Sequence, residues 1–281
     1  MKIIITGASG FVGSLIVPEL EKKGIKMLLV SRSLNKLKKK YYNQSVCEYN
    51  ELRNFANNYD CIFHLSTFNN EKEYNYEIAS KENLKIFKKV FEIAKRYNLY
   101  VFNFSSIHSL DLSFKTHYAK SKREIEKYIN NSNYHKIETI YLPLIYGKKM
   151  SGKIKFLNVF PKFISNLIFY FLSAFKPTVN INTIINYLLK SDINFKENKL
   201  NILSEDINKN FIFSFSKRTF DLFFSISILL FLWWLLILVW LFIKIETSGP
   251  GLIFQKRVGK NGKTFNCIKF RTMKFGVKQA P

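Results

Sequence analysis

With 281 residues the chain can hold one large domain or two modest ones, and 47% hydrophobic residues suffice for a packed core with a membrane segment besides. A formal net charge of +24 points to an anionic membrane surface, to nucleotide diphosphates, or to solvated lysines on helix faces; no nucleic-acid motif accompanies it, which sets nucleic acid aside as a partner. Cys47, Cys61 and Cys267 are widely spaced and form no CxxC, which argues against a disulfide framework and for buried thiols in a reducing compartment.

In chain order, Met1 to Ile5 runs straight into a strand with no signal peptide ahead of it, and the apolar run Lys2 to Thr6 reads as a buried parallel strand. TGASGFVG follows, with Gly7, Gly10 and Gly13 in GxxGxxG spacing. Gly7 permits the tight turn, Gly10 lets a pyrophosphate approach the backbone, and Gly13 lets the next helix pack close to the sheet. That helix is predicted over Phe11 to Lys23, ended by Gly24, and its first N–H groups are free for phosphate. A glycine turn between a strand and a helix is the context of a dinucleotide site, and Ser9, Phe11 and Val12 on the turn are expected at the cofactor with the glycines. The second strand, Lys26 to Ser31, leads to Ser31-Arg32-Ser33, where NAD-binding units carry an acid. A guanidinium fits a 2′-phosphate, so Arg32 favours NADP over NAD; the alternative is Arg32 stacked on the adenine.

Strands are predicted over Asp60 to Ser66, Tyr100 to Ser106 and Ile137 to Leu142, with helices over Asn83 to Tyr97 and Tyr118 to Ile129. The alternation implies an α/β fold, a Rossmann-like doubly wound parallel sheet. Tyr118-Ala-Lys-Ser-Lys122 is YxxxK, which puts both side chains on one helix face. A phenol with an ordinary pKa of about 10 is a poor base near neutrality. A nearby ammonium and a nicotinamide cation favour the phenolate and make Tyr118 a usable acid/base. Ser106, at a strand end, can hydrogen-bond the reacting oxygen, whereas His108 reads as a loop histidine.

After Gly147, Phe163 to Phe175 is strongly apolar but too short to span a bilayer; it is either core or a helix lying on a membrane. A late helix, Ile181 to Leu189, and a strand, Lys199 to Leu203, precede a polar boundary at Ser204 to Asn210, which separates domains at 1–205 and 206–281. Leu222 to Ile243 carries no charge and has about the length that crosses hydrocarbon. Lys217 and Arg218 precede it and Lys244, Lys256 and Arg257 follow. Basic flanks on both sides suggest that both ends face the cytoplasm, as in a re-entrant hairpin. The expected architecture is therefore the α/β unit, a membrane-embedded helix and a short α+β fragment.

Two resemblances rest on these motifs. TGASGFVG, CIFHLS, FNFSS, YAKSK and LPLIYG, in order over about residues 1 to 205, resemble the extended short-chain dehydrogenase/reductase family of nucleotide-sugar epimerases, dehydratases and 4-ketoreductases. The resemblance implies Ser106, Tyr118 and Lys122 as catalytic triad, His64-Leu65-Ser66 beside the cofactor with Leu65 in contact, Pro143 near the nicotinamide, and a UDP- or dTDP-sugar substrate; it allows a homodimer. The chain departs from the pattern at Glu48-Tyr49-Asn50, which lacks an Asp near the adenine, and at Tyr141-Leu142, which lacks an Arg.

Lys217 to Met273, with KRTFD, the apolar run, SGPGLIFQKRVG and KFRTM in order, resembles the start of the monotopic polyprenyl-phosphate phosphoglycosyl transferases. This implies docking in one leaflet of the inner membrane, with Gln255, Arg257, Lys269 and Arg271 meeting substrate phosphates or lipid headgroups, and a polyprenyl phosphate as partner. Trp234 stands where that family has a helix-breaking proline. The chain ends at Pro281, ahead of the part in which the family carries its catalytic Asp-Glu pair, and no carboxylate side chain follows Glu246. No metal site is expected. The leading expectation is a membrane-tethered, cytoplasm-facing NAD(P)-dependent UDP-sugar 4-epimerase or 4-ketoreductase of surface-glycan synthesis. The alternatives are a piece of a longer bifunctional transferase and a non-catalytic remnant.

Overall fold

The computed structural model describes residues 1–68, 76–147, 150, 152–190, 200–246, 248–259 and 262–272. The chain divides into two compact units, Met1–Asn210 and Phe211–Pro281.

The first unit runs β1 (Lys2–Thr6), α1 (Phe11–Lys22), β2 (Lys26–Val30), α2 (Leu34–Lys40), β3 (Ser45–Cys47), α3 (Leu52–Phe55), β4 (Cys61–His64), α4 (Tyr76–Tyr97), β5 (Tyr100–Ser106), α5 (Ile107–Leu110), α6 (His117–Asn130), β6 (Ile137–Leu142), β7 (Leu144–Tyr146), α7 (Lys162–Ser173), β8 (Thr178–Asn180), α8 (Ile181–Lys190) and β9 (Leu200–Ile202). Among the described residues the main sheet has seven strands in the order β3-β2-β1-β4-β5-β6-β9, and every pairing is parallel. β7 and β8 form a separate parallel pair. The fold expectation holds: this is a doubly wound, Rossmann-like sheet.

Successive residues of a strand point to opposite faces, so each strand feeds two cores. Ile3, Ile5, Phe63 and Phe102 pack with Ile16, Leu20 and Ile184 on one face. Ile4, Ile62 and Val101 pack with Phe87, Phe91 and Ile125 on the other. Helices on both faces explain why the strands read as continuous apolar runs. One row breaks the pattern: Thr6, His64, Asn103 and Thr139 are direct neighbours across β1, β4, β5 and β6, and all four are buried. Thr6 Oγ1 and His64 Nδ1 are 3.0 Å apart, and Asn103 Nδ2 donates to Thr139 Oγ1 at 3.4 Å.

The second unit consists of α9 (Phe211–Glu246), β10 (Leu252–Val258) and β11 (Thr264–Phe270), the two strands forming an antiparallel pair. α9 has 36 residues, about 54 Å of helix, is long and apolar enough to cross a membrane, and buries none of its side chains. It runs unbroken through Trp234, whose indole Nε1 donates to the Phe231 carbonyl at 3.0 Å. A re-entrant turn, the geometry suggested by the basic flanks, therefore has no backbone break within α9 on which to sit. Gly251 lets the strand pair start against the helix: a Cβ there would lie 2.7 Å from the Trp240 ring.

Candidate active site

β1 and β4 are neighbours from which the strand order runs outward in opposite directions, the switch point where doubly wound sheets open a crevice at their carboxyl ends. The glycine turn leaves β1 at this point. Gly7 has φ +77°, open to glycine at little cost, and a Cβ on it would lie 2.7 Å from the Ser66 nitrogen. Gly10 precedes α1 in extended conformation, its N–H donating to the Gly7 carbonyl at 2.9 Å, and no side chain caps the helix. Gly13 is pressed onto the turn: a Cβ would lie 2.5 Å from the Gly7 oxygen and 2.6 Å from Ala8 Cα. An uncapped helix N-terminus behind a glycine-rich turn fits a dinucleotide pyrophosphate.

Below the turn lies a cavity of about 330 Å³. It brings together Phe11, Val12, Leu65, Ser106, Tyr118, Lys122 and Pro143, all of them candidates from the sequence. It adds Phe104, Ser105, Leu142, Leu144 and Ile145, which lie in the FNFSS and LPLIYG motifs but are given no role by them, and Thr67, which lies outside them. Ser9 and Arg32 lie outside its wall: Ser9 is exposed on the turn, and Arg32 at the end of β2 holds its guanidinium 5.1 Å from the Phe68 ring centroid.

α6 carries Tyr118 and Lys122 one turn apart. Its N-cap, Thr116, accepts from the Ala119 nitrogen at 3.3 Å. Lys122 is 2% exposed; its Nζ donates to the Phe104 carbonyl at 2.8 Å and lies 5.8 Å from the Tyr118 ring centroid. Burial brings the Lys122 ammonium down to about 8, with Glu126 opposing, and burial raises the Tyr118 phenol to about 12. Burial alone accounts for the raised phenol. Ser106 caps α5 by accepting from the His108 nitrogen at 3.3 Å. Glu126 accepts from Ser105 Oγ at 2.5 Å and Ser109 Oγ at 2.8 Å, and Arg123 donates to the carbonyls of Asp111 at 3.0 Å and Phe114 at 2.8 Å. These bonds tie the end of β5 and its loop to α6, and so hold Ser106 in place relative to Tyr118. His108 packs on Phe114 in that loop, with ring centroids 4.3 Å apart.

His64 lies below the cavity, fully buried against Phe87. Burial, with the Lys122 charge adding, lowers its pKa to about 3 from an ordinary 6.5. The unfolded chain then binds the proton first, so stability is lost as pH falls from 6.5 toward 3, at up to about 1.4 kcal/mol per pH unit. We expect the stability advantage of the parent over His64→Phe to shrink at about that slope between pH 6 and 4 in thermal unfolding; a difference that stays flat with pH rules this out.

A second cavity in the same unit, about 800 Å³, is lined by Tyr146, Lys176, Thr183, Glu205 and Asn210 among others. Tyr146 Oη donates to the Glu205 carboxylate at 2.8 Å. Apart from Tyr146, which ends β7 in the LPLIYG motif, these residues come from elements after Gly147, where the sequence carries no motif.

In the second unit, register places Gln255, Arg257 and Lys269 on one face of the strand pair, with Lys269 Nζ donating to Gln255 Oε1 at 2.7 Å. Arg271 is 7% exposed, and its Nη1 donates to the Ser248 carbonyl at 3.0 Å. It closes the segment between α9 and β10 rather than presenting its charge to solvent.

A parallel sheet with a glycine turn at its switch point and a Tyr–Lys pair in the adjoining cavity defines a nucleotide-dependent enzyme of the Rossmann class. The chain belongs to the NAD dependent epimerase/dehydratase family, whose model matches residues 3–175; residues 212–280 match the bacterial sugar transferase model. The fold is similar to the UDP-N-acetylglucosamine 4-epimerase of Bacillus cereus, 16% identical at a TM-score of 0.56, covering 73% of this chain and 78% of that one. It is also similar to the Bordetella bronchiseptica enzyme WbmG in complex with NAD and UDP, 14% identical at a TM-score of 0.55, covering 75% and 76%. Over 57 residues the chain is 51% identical to the undecaprenyl-phosphate glucose phosphotransferase of Komagataeibacter xylinus, 20% of this chain and 11% of that protein. The chain spans less than a third of the length of the curated sugar transferases it matches.

Proposed function

We propose that residues 1–210 catalyse NAD(P)-dependent oxidation or reduction at a sugar carbon of a UDP-sugar, as a 4-epimerase or 4-ketoreductase, and that α9 tethers them to the cytoplasmic membrane. The observation that carries this is the convergence of Ser106, Tyr118 and Lys122 on one cavity beside the glycine turn. Gly7, Gly10, Gly13 and the start of α1 would hold the cofactor pyrophosphate, with Leu65 and Pro143 flanking the ring. NAD(P) bound there supplies a hydride acceptor or donor. Ser106 Oγ hydrogen-bonds the reacting oxygen, and Tyr118 Oη takes the hydroxyl proton on oxidation or returns it on reduction. Lys122 stabilises the phenolate so formed, and a cationic ring nearby would offset the burial that raises the phenol. The family finding supports NAD, and Arg32 is the feature that favours NADP.

Incubating the purified 281-residue chain with NAD(P) and a panel of UDP-sugars should interconvert C4 epimers or reduce a 4-keto sugar; an active-site-intact preparation inert on the whole panel would defeat the reading. In a parallel assay with undecaprenyl phosphate and magnesium, the same polypeptide should release no UMP, because after Glu246 it has no carboxylate to serve as nucleophile on a phosphoryl group. Robust UMP release would place the chemistry elsewhere.

Both flanks of α9 are proposed to be cytoplasmic, on the strength of the basic residues at each end and the cytoplasmic cofactor, which an unbroken helix satisfies by lying within one leaflet and not by turning back on itself. Single cysteines replacing Ser214 and Ser248 should both react only with reagent admitted to the cytoplasmic side. A periplasmic label at either would establish a span.

A further inference from the structure

α7 has one face in the protein and one face bare. Ser165 and Phe169 are buried, the Phe169 ring lying 4.5 Å from that of Tyr146. On the opposite face Phe163, Ile164, Leu167 and Phe171 are 78, 40, 60 and 51% exposed, and Phe175 beyond the helix end is 64% exposed. The spacing 163, 164, 167, 171 makes this a single stripe, and soluble surfaces seldom leave a contiguous aromatic and aliphatic stripe to water. The segment that carries α7 is cationic: from Gly147 to Ser191 the sequence has seven lysines and neither Asp nor Glu, and Glu205 and Asp206 border the cavity on the buried side of the helix. Lys155, Lys162 and Lys176 are exposed.

The end of this helix is anchored where the chain leaves the unit. Asn210 Nδ2 donates to the Tyr170 carbonyl at 2.9 Å and to Ser173 Oγ at 3.0 Å, both in the last turn of α7. The next residue, Phe211, begins α9, and the uncharged run starts at Leu222, about 17 Å of helix further on. A helix of 12 residues cannot span hydrocarbon, but it can lie along the surface. A second copy of this chain would bring the same exposed lysines, Lys155, Lys162 and Lys176, to the stripe, whereas an anionic lipid surface complements them.

We propose that α7 lies in the headgroup–acyl boundary of an anionic bilayer, giving the 1–210 unit a lipid contact of its own besides its tether. This rests on the reading of α9 as the membrane anchor. The test uses the full chain in nanodiscs, with Cys267→Ser to clear the one cysteine that is not buried. Nitroxides are placed at Leu167→Cys or Phe171→Cys on α7, at Leu229→Cys in α9, and at the exposed Lys85→Cys as a water reference. In phosphatidylglycerol-containing discs both α7 labels should be relaxed by oxygen and shielded from a nickel chelate, with a ratio several times that at Lys85→Cys. In phosphatidylcholine discs the ratio should fall. Water-like α7 labels with a lipid-embedded 229 label would overturn this inference and spare the anchor; a water-like 229 label would overturn both. Equal insertion in the two lipids would refute the anionic surface. Spin–spin broadening between α7 labels on separate chains would assign the face to a second copy instead.

Discussion

Under the proposed reaction, Tyr118→Phe should lower turnover of a UDP-sugar by about 10²- to 10⁴-fold, the range in which a positioned acid/base contributes. The change removes one oxygen and almost no volume. The cavity wall built by Leu65, Ser106 and Pro143 stays in place, and so does the Lys122 bond to the Phe104 carbonyl. Cofactor affinity, measured by calorimetry, should therefore be unchanged within about threefold, an offset of less than 0.7 kcal/mol. A variant that turns over UDP-sugars as fast as the parent would remove Tyr118 from the chemistry. One that loses cofactor and turnover together would make it a binding residue. The buried phenol, raised to about 12, stays protonated at neutral pH even with the Lys122 ammonium nearby.

Gly10→Val and Gly13→Ala should fail for different reasons. At Gly10 an added Cβ meets only the Gly7 oxygen, at 3.2 Å, and otherwise faces open space in front of α1. The fold should accept the valine with little change in melting temperature, while the side chain stands where the pyrophosphate must lie, and cofactor affinity should fall by at least about 100-fold, roughly 2.7 kcal/mol. At Gly13 even one methyl would sit 2.5 Å from the Gly7 oxygen and 2.6 Å from Ala8 Cα, both backbone atoms that cannot swing aside. That variant should lose about 1 to 3 kcal/mol of stability before any question of binding arises. Undiminished cofactor affinity in Gly10→Val, by calorimetry, would dismiss the glycine turn as the pyrophosphate site.

Much of the first unit was legible because its elements are buried on both faces. β1, β5 and β6 announce themselves as apolar runs, the observed bounds of β5 and β6 match those expected, and α6 was placed within a residue at each end. β2 and β4 end one and two residues early, where Ser31 and Leu65 leave the sheet for the crevice. α2, β3 and α3 escaped notice: β3 has three residues, Ser45–Cys47, too few to show a period, and α2 is a lysine-rich turn with only Leu37 buried. α4 begins at Tyr76, earlier than its apolar repeat suggested, and the stretch just ahead of it lies outside the described residues. At the site, residues whose side chains carry chemistry are legible from the motifs, and those that only line the cavity or brace it are not. Thr67, Phe104 and Ile145 reach the cavity because of where strands end, and Glu126 and Arg123 matter through bonds to loop atoms far along the chain. The resemblance sets Arg271 among the residues that meet phosphates or headgroups, and nothing in the sequence shows that its Nη1 turns back to the Ser248 carbonyl.

The buried polar row through Thr6, His64, Asn103 and Thr139 bears on how the sheet chooses its alignment. A slip of one residue would turn each strand inside out and is forbidden by the two apolar cores. A slip of two residues keeps every face correct, and in strands as repetitive as Ile-Ile-Ile and Cys-Ile-Phe hydrophobic pairing hardly distinguishes it from the native alignment. The polar row does: sliding β4 by two sets Thr6 beside Ile62 and strands the His64 imidazole among hydrocarbon, at a cost of about 1 to 3 kcal/mol for each group left without its partner. The row thus acts as a key cut across the strands, and it aligns the carboxyl ends from which Gly7, Leu65 and Ser106 all depart.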